Sequence, residues 1–174
     1  MARIGLISDT HGFWDPAIPG IFNGVSHIIH AGDIGSESIL QKLRDVAPLT
    51  VVKGNTDTGS LAVFPEFVMV EILGMRIFVT HAIGKSSGMK TDVSRAIYVS
   101  SPDIVVYGHT HNFLAEKAGD QVFINPGAAG VPGIGIVPRT VADIDFGDEF
   151  FYVNFFNLEA KSGLQILDSR LFPI

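Results

Sequence analysis

The chain has 174 residues, of which 47% are hydrophobic and only 17% charged, with a formal net charge of −6. This length predicts a single domain, residues 1–174, with a sizeable core. The acidic balance and the lack of a basic run give no indication of nucleic-acid binding. Because the chain has no cysteine, disulfides and thiolate metal sites are excluded, and any metal must be held by Asp, Asn or His.

The best candidate for a membrane span, residues 67–83, is interrupted by Glu71 and Arg76. We therefore expect no transmembrane segment. An apolar strand begins at residue 3 and leaves no room for a signal peptide, so we expect a cytoplasmic location.

The first third of the chain alternates between strand and helix patterns. Apolar runs predict strands over residues 3–7, 25–31 and 49–52. Helices are predicted over residues 15–22 and 36–46, the second capped by Ser36. This β-α-β-α-β order predicts a parallel sheet with right-handed crossovers.

The rest of the chain is dominated by hairpin patterns, with one helix predicted over residues 89–100 and one strand over residues 103–107. The predicted hairpins pair residues 67–72 with 75–80, 113–118 with 121–124, and 141–146 with 150–156. The last ten residues show no clear pattern. The number of apolar runs predicts a mixed α/β fold in which helices flank two packed sheets.

Five of the predicted strands are followed directly by residue types that bind metals, mostly beside a glycine that permits a sharp turn. These residues are Asp9, His11, Asp33, Asn55, His81, His109 and His111. Sites in open α/β sheets form at the carboxyl ends of strands, so we expect these side chains to converge.

Asp9 and His11 alternate along an extended segment and can point to the same place. Taken alone, Asp-x-His is common by chance, and a capping Asp with a solvated His explains it as well. Seven donors from five segments, however, can hold two divalent ions about 3.5–4 Å apart. Asp33, the only carboxylate in the middle of the set, is the expected bridge. One ion is then expected to take Asp9, His11 and His111. The other is expected to take Asn55, His81 and His109.

The ordered motifs Asp9-Thr10-His11, Gly32-Asp33, Gly54-Asn55-Thr56-Asp57, His81 and Gly108-His109-Thr110-His111 resemble those of the calcineurin-like metallophosphoesterase superfamily. The resemblance covers about residues 3–146. The small size, the G-N-x-D form and the segments 125–127 and 138–139 are similar to the bacterial and archaeal phosphodiesterase branch.

This resemblance implies a four-layer α/β/β/α sandwich with a di-metal site. It also implies hydrolysis of a small-molecule phosphodiester by a metal-bridging hydroxide, with Asp33, Asn55 and His81 as catalytic residues. Mixed O/N ligation suits Mn, Fe, Zn or Ni, and Mn is our expectation. The alternatives are a phosphomonoesterase, a non-catalytic protein-binding scaffold like the eukaryotic retromer subunit of this family, and metal storage or sensing.

Two positions depart from the family pattern. Thr56 stands where many phosphatases have the His of G-N-H-D. The segment His81-Ala82-Ile83 stands where the family often has H-G-H, so a further imidazole near the site is missing. A hydroxyl is a poor acid near neutral pH, so we expect slow turnover of esters with basic leaving groups.

Other residues allow two interpretations each. His30 either orients a ligand or is a core His, and Asp57 either orients the Asn55 loop or is a turn residue. Arg139 either contacts a substrate phosphate or is solvated. Asn125 either bonds a ligand or belongs to an ordinary Asn-Pro-Gly turn.

Two segments also remain open. The residues 13–14 either stack on a substrate ring or pack against a helix. The Gly/Pro-rich segment 127–137 is a candidate lid or subunit contact. In the second case the protein would form a homo-oligomer.

Overall fold

The computed structural model describes residues 2–83, 91–130, 137–160 and 164–174. Within them, eleven strands and three α-helices form two sheets with helices on their outer faces. The elements up to the second hairpin strand are β1 (Ala2–Ile7), α1 (Ile18–Ile21), β2 (His27–His30), α2 (Glu37–Arg44), β3 (Leu49–Val51), a 3₁₀ helix (Gly59–Val63), β4 (Phe67–Ile72) and β5 (Met75–Thr80). The remainder are α3 (Thr91–Ser100), β6 (Ile104–Val106), β7 (Leu114–Ala118), β8 (Gln121–Asn125), β9 (Thr140–Phe146), β10 (Phe150–Asn157) and β11 (Ile166–Pro173).

Both sheets mix parallel and antiparallel pairs. The first has the order β3-β2-β1-β9-β10-β11, and its β1, β2 and β3 pair in parallel. The second has the order β4-β5-β6-β8-β7, with β6 parallel to both of its neighbours. The predicted β-α-β-α-β unit and all three predicted hairpins, β4–β5, β7–β8 and β9–β10, are therefore confirmed.

Three apolar clusters fill the three interfaces between four layers. Side chains of both sheets, such as Ile29 and Val106, form the cluster between the sheets. Ile18 of α1 and Leu40 of α2 pack on the outer face of the first sheet. Val93 of α3 packs on the second sheet. The predicted mixed α/β fold with an α/β/β/α arrangement is confirmed.

The helices follow from short amphipathic patterns. In α2 the buried residues are Ile39, Leu40 and Leu43, and Ser36 caps the helix by accepting from the Ser38 N–H at 3.3 Å. Among the described residues, no helix has the length and apolar character needed to cross a bilayer.

The structure corrects the prediction at two places. The last ten residues include the whole of β11, whose only buried residue is Phe172, so the strand lacks a strong apolar alternation. Its order comes from pairing with β10. The first helix spans only residues 18–21, because Asp15 instead forms a turn by accepting from the Ala17 N–H at 2.9 Å.

The two faces of β10 provide a test of where the core lies. Phe155 is fully buried between the sheets, 5.0 Å from the Phe113 ring, whereas Tyr152 on the same strand is 48% exposed. We expect Phe155→Ala to lower the free energy of unfolding by about 3–5 kcal/mol. Tyr152→Ala, the matched control, should cost about 1 kcal/mol or less. Urea unfolding of both variants checks this, and equal losses would contradict the assignment of the core.

Candidate metal centre

The seven predicted ligand residues lie in five loops at the carboxyl ends of β1, β2, β3, β5 and β6. The first three strands belong to one sheet and the last two to the other. The loops therefore meet where the edges of the two packed sheets face each other. The structure brings all seven side chains to this junction, and their role as ligands remains a prediction.

One group of donors comes from β1 and β6. The His111 Nε2 lies 3.3 Å from the Asp9 Oδ1 and 3.4 Å from the His11 Nε2. One donor atom of each of these three residues lies within 4.8 Å of the others. A carboxylate and two imidazoles that face one point at this spacing can hold a single divalent ion.

Asp33 lies between this group and the next. Its Oδ2 is 3.8 Å from the His11 Nε2 and 3.4 Å from the His81 Nε2. Asp9, Asp33 and His81 also place donor atoms within 4.8 Å of one another. This central position is the one that a bridging carboxylate would need.

Asn55 completes the second group. Its Oδ1 lies 3.0 Å from the His81 Nε2 and 2.9 Å from the His109 Nδ1. The His81 Nδ1 is 2.8 Å from the Ala31 carbonyl oxygen, which can only accept a hydrogen bond. The ring therefore carries a proton on Nδ1 and directs Nε2 towards the other donors, as a metal-binding His does.

The backbone of these loops is unusual. Seven non-glycine residues in the described chain have a left-handed φ, and five of them belong to the predicted ligand set. They are Asp9 (52°), His11 (45°), Asp33 (53°), His109 (70°) and His111 (58°). Such conformations cost energy and concentrate where surrounding contacts hold a functional site in place.

Backbone hydrogen bonds extend the β1–β2 pairing past the strand ends. The Asp9 N–H donates to the Gly32 carbonyl and the His11 N–H to the Asp33 carbonyl, each at 3.0 Å. The second sheet is joined through the His109 N–H, which donates to the Asp9 Oδ2 at 3.1 Å.

Two glycines leave space for the ligand carboxylates at this junction. A Cβ on Gly108 would lie 2.6 Å from the Asp9 Oδ2, and one on Gly54 would overlap the Asp33 carboxylate. Gly54 and Gly108 are therefore required by the space that the ligand carboxylates need, whereas Gly32 before Asp33 has a left-handed φ of 89°.

The charge at the site fits a bound cation. The Asp9 and Asp33 side chains are buried, at 0% and 3% exposure, and neither has a Lys or Arg ion-pair partner within the described residues. Burial alone would raise the pKa of Asp33, but hydrogen bonds from His81 and the Thr56 N–H outweigh it and lower the pKa. Burial also disfavours the charged form of His81. The hydrogen bond between His81 and Asp33 and the nearby negative charges outweigh this effect and raise the pKa of His81. Two carboxylates among nitrogen and amide donors fit first-row divalent ions.

Residues 2–149 match the family model for the calcineurin-like phosphoesterase superfamily domain. The chain belongs to this superfamily. A probable metallophosphoesterase of Methanothermobacter thermautotrophicus is 33% identical over 137 residues, which cover 74% of this chain and 78% of the relative. A phosphodiesterase of Methanocaldococcus jannaschii is 29% identical over 157 residues, covering 78% and 92%. These matches confirm the family resemblance and its small archaeal and bacterial branch.

The fold is shared by a solved structure with another name. The structure of vacuolar protein sorting 29 from Cryptosporidium parvum aligns with a TM-score of 0.80 at 18% identity, over 99% of this chain and 98% of that one. At this identity the likeness concerns the fold alone.

The side chains of two further residues form hydrogen bonds with the loops that carry the predicted ligands. Asp57 accepts from the Gly54, Ile34 and Gly35 N–H groups at 2.8, 2.9 and 3.1 Å, which joins the loops after β2 and β3. Asn125 donates to the Gly108 carbonyl at 2.8 Å and to the Thr110 Oγ1 at 3.0 Å. Both side chains therefore orient loops.

Arg139 is mostly shielded from solvent and pairs with acidic neighbours, and a contact with a substrate phosphate remains a prediction. It is 16% exposed and pairs with Asp15 at 2.9 Å and Glu159 at 3.4 Å. Its guanidinium lies 4.8 Å from the centroid of the Phe13 ring, which is 47% exposed. Trp14 packs against the helix side of the first sheet, as the packing interpretation predicts.

Of the segment 127–137, residues 131–136 lie outside the described residues, and its role as a lid or subunit contact remains a prediction.

His30 is fully buried directly beneath the ligand loops. Its Nε2 is 2.9 Å from the Thr10 Oγ1, and its Nδ1 accepts from the Gly32 N–H at 3.2 Å. Burial lowers its pKa from 6.5 to about 4, although Asp9 and Asp57 act in the opposite direction. The ring is therefore neutral at pH 7.

This low pKa predicts a pH dependence of stability. Below pH 6.5 the unfolded chain takes up a proton at His30, whereas the folded chain does so only near pH 4. The free energy of unfolding should thus fall as the pH drops through this window, by up to roughly 3 kcal/mol, with no contribution above it. Urea unfolding in EDTA of the wild type and of His30→Gln, which lacks the titrating group, isolates this effect. A difference between them that is constant from pH 4 to 7 would contradict it.

Proposed function

We propose that this chain is a phosphodiesterase that uses two divalent ions, with Mn²⁺ as the proposed metal and a small-molecule phosphodiester as the substrate. The observation that carries the proposal is the central position of the buried Asp33 carboxylate between His11 and His81, at 3.8 and 3.4 Å. A relative that is named a phosphodiesterase supports the choice of reaction.

When bound, such a metal pair supplies Lewis acidity and activates water for attack on phosphorus. The chain's own residues would hold and tune it. Asp33 would contact both ions, and the Thr56 N–H bond at 2.8 Å keeps its Oδ1 oriented. Asn55 offers a neutral oxygen, which leaves more positive charge available to the substrate phosphate.

The donor set favours catalysis over a scaffold role. The vacuolar sorting protein shares the fold, and fold alone does not determine function. In this chain all seven positions of the motif set carry Asp, Asn or His, and the structure brings them together. Two buried carboxylates without a Lys or Arg partner among the described residues favour a bound cation, which a purely protein-binding role does not require.

The proposal predicts that metal content and hydrolysis fall together. We expect about two ions per chain and hydrolysis of bis-p-nitrophenyl phosphate. EDTA should abolish the hydrolysis. Asp33→Asn should lower activity more than the 10- to 100-fold typical of residues that only orient a ligand. Plasma mass spectrometry and the assay check this, with Asp45→Asn on the exposed end of α2 as the matched control.

Each outcome of that experiment is informative. Two ions without activity would contradict the phosphodiesterase and favour the scaffold. A chain that takes up no metal after reconstitution would overturn the metal centre. A phosphomonoesterase remains the other enzymatic alternative, and a higher kcat/KM on p-nitrophenyl phosphate than on the diester would favour it.

Thr56 predicts a dependence on the leaving group. An alkoxide needs a proton to leave, whereas p-nitrophenolate does not, and a Thr hydroxyl is a poor acid. We expect the wild type to hydrolyse nitrophenyl diesters far faster than alkyl diesters. Thr56→His should raise the alkyl rate by about 10-fold or more and leave the nitrophenyl rate nearly unchanged. Equal effects on both substrates would show that this position does not protonate the leaving group.

A further inference from the structure

His30 and Thr10 form a buried pair at the centre of the ligand loops, and both side chains are completely shielded from solvent. Thr10 lies between Asp9 and His11 in the sequence. His30 is the last residue of β2, three residues before Asp33. The pair therefore lies between two segments that carry predicted ligands.

The hydrogen bonds of the pair allow only one arrangement of protons. The Gly32 N–H donates to the His30 Nδ1, so this nitrogen carries a lone pair. A neutral ring must then carry its proton on Nε2, which donates to the Thr10 Oγ1 at 2.9 Å. The Thr10 hydroxyl in turn donates to the Ile34 carbonyl at 2.8 Å. Each donor in this series of three hydrogen bonds has an acceptor.

The positions that these bonds join have a simple relation to the ligands. Gly32 and Ile34 flank Asp33, and Thr10 is flanked by Asp9 and His11. The pair thus connects both neighbours of Asp33 to Thr10, which lies between Asp9 and His11. Because no water reaches these groups, the bonds do not exchange with solvent and hold the two loops at a defined separation.

We propose that His30 and Thr10 are positioning residues, which set the separation between the Asp9/His11 loop and the Asp33 loop and thereby the affinity for metal. This inference rests on the proposed metal centre. The competing explanation is that Thr10 merely satisfies a buried His without influence on the ligands.

The chain contains a matched pair for comparison. His27 lies on the same strand, and its Nε2 is 2.8 Å from the Thr50 Oγ1. That pair joins β2 to β3 and lies at the opposite end of β2 from the ligand loops. It has the same chemistry without the connection to predicted ligands.

The test is calorimetric titration of Mn²⁺ into the metal-free protein. Thr10→Val removes the hydroxyl at nearly constant shape and should weaken Mn²⁺ binding by about 10- to 100-fold, the usual effect of losing a group that orients a ligand. Thr50→Val should stay within about 2-fold of the wild type. Thr10→Ser retains the hydroxyl and should recover most of the affinity. Thermal unfolding of each variant shows that it is folded.

Wild-type affinity in Thr10→Val, or an equal loss in Thr50→Val, would overturn the inference while leaving the metal centre intact. A wild type that binds no Mn²⁺ would overturn the proposed Mn²⁺ centre and this inference with it. A separate measurement needs no metal: two-bond ¹H–¹⁵N correlations of the histidine rings should show the His30 proton on Nε2. A proton on Nδ1 would be incompatible with the Gly32 bond and would also overturn the inference.

Discussion

The close approach of two buried carboxylates, Asp9 and Asp33, places the strongest demand on this structure. Two like charges removed from water repel each other and lose solvation, so a chain that brings them together needs a compensating charge. Among the described residues no Lys or Arg supplies it, and imidazoles and an amide surround the pair instead. The raised pKa of His81 beside Asp33 shows the same demand for positive charge. A divalent cation held by these residues would meet it, as expected for a member of a superfamily of metal-dependent phosphoesterases.

The backbone around the carboxylates is shaped to hold them. Left-handed conformations at most of the ligand positions turn the side chains inward, and the bonds between the loops after β1 and β2 maintain those conformations. Gly54 and Gly108 leave the space into which the carboxylates fit. Beneath them, the Asp57 carboxylate and the neutral His30 ring satisfy the buried N–H groups of the same loops. The cost of the strained turns is thus offset by a surrounding network that includes both sheets.

The same scaffold supports different functions across the superfamily, because the sheets set only where the five loops meet. In this chain the donors are intact, whereas the position that would protonate a leaving group is Thr56. Binding and activation of a phosphate would therefore persist while acid catalysis is weak. Arg139, which the sequence offers as a phosphate contact, is instead engaged by Asp15 and Glu159. These ion pairs already balance much of the charge of this side chain.

The sequence by itself predicted the β-α-β-α-β unit of the first sheet, the three hairpins and the candidate donor residues, because apolar periodicity and the residues at strand ends are local features. It did not predict β11, whose single buried Phe172 leaves too weak a pattern. The tertiary structure alone decided that Asp33 lies between the two donor groups and that Arg139 forms ion pairs. It also decided that the Nε2 of His30 faces Thr10. Each of these depends on contacts between segments far apart in the chain, which are set by how the two sheets pack and not by the identity of neighbouring residues.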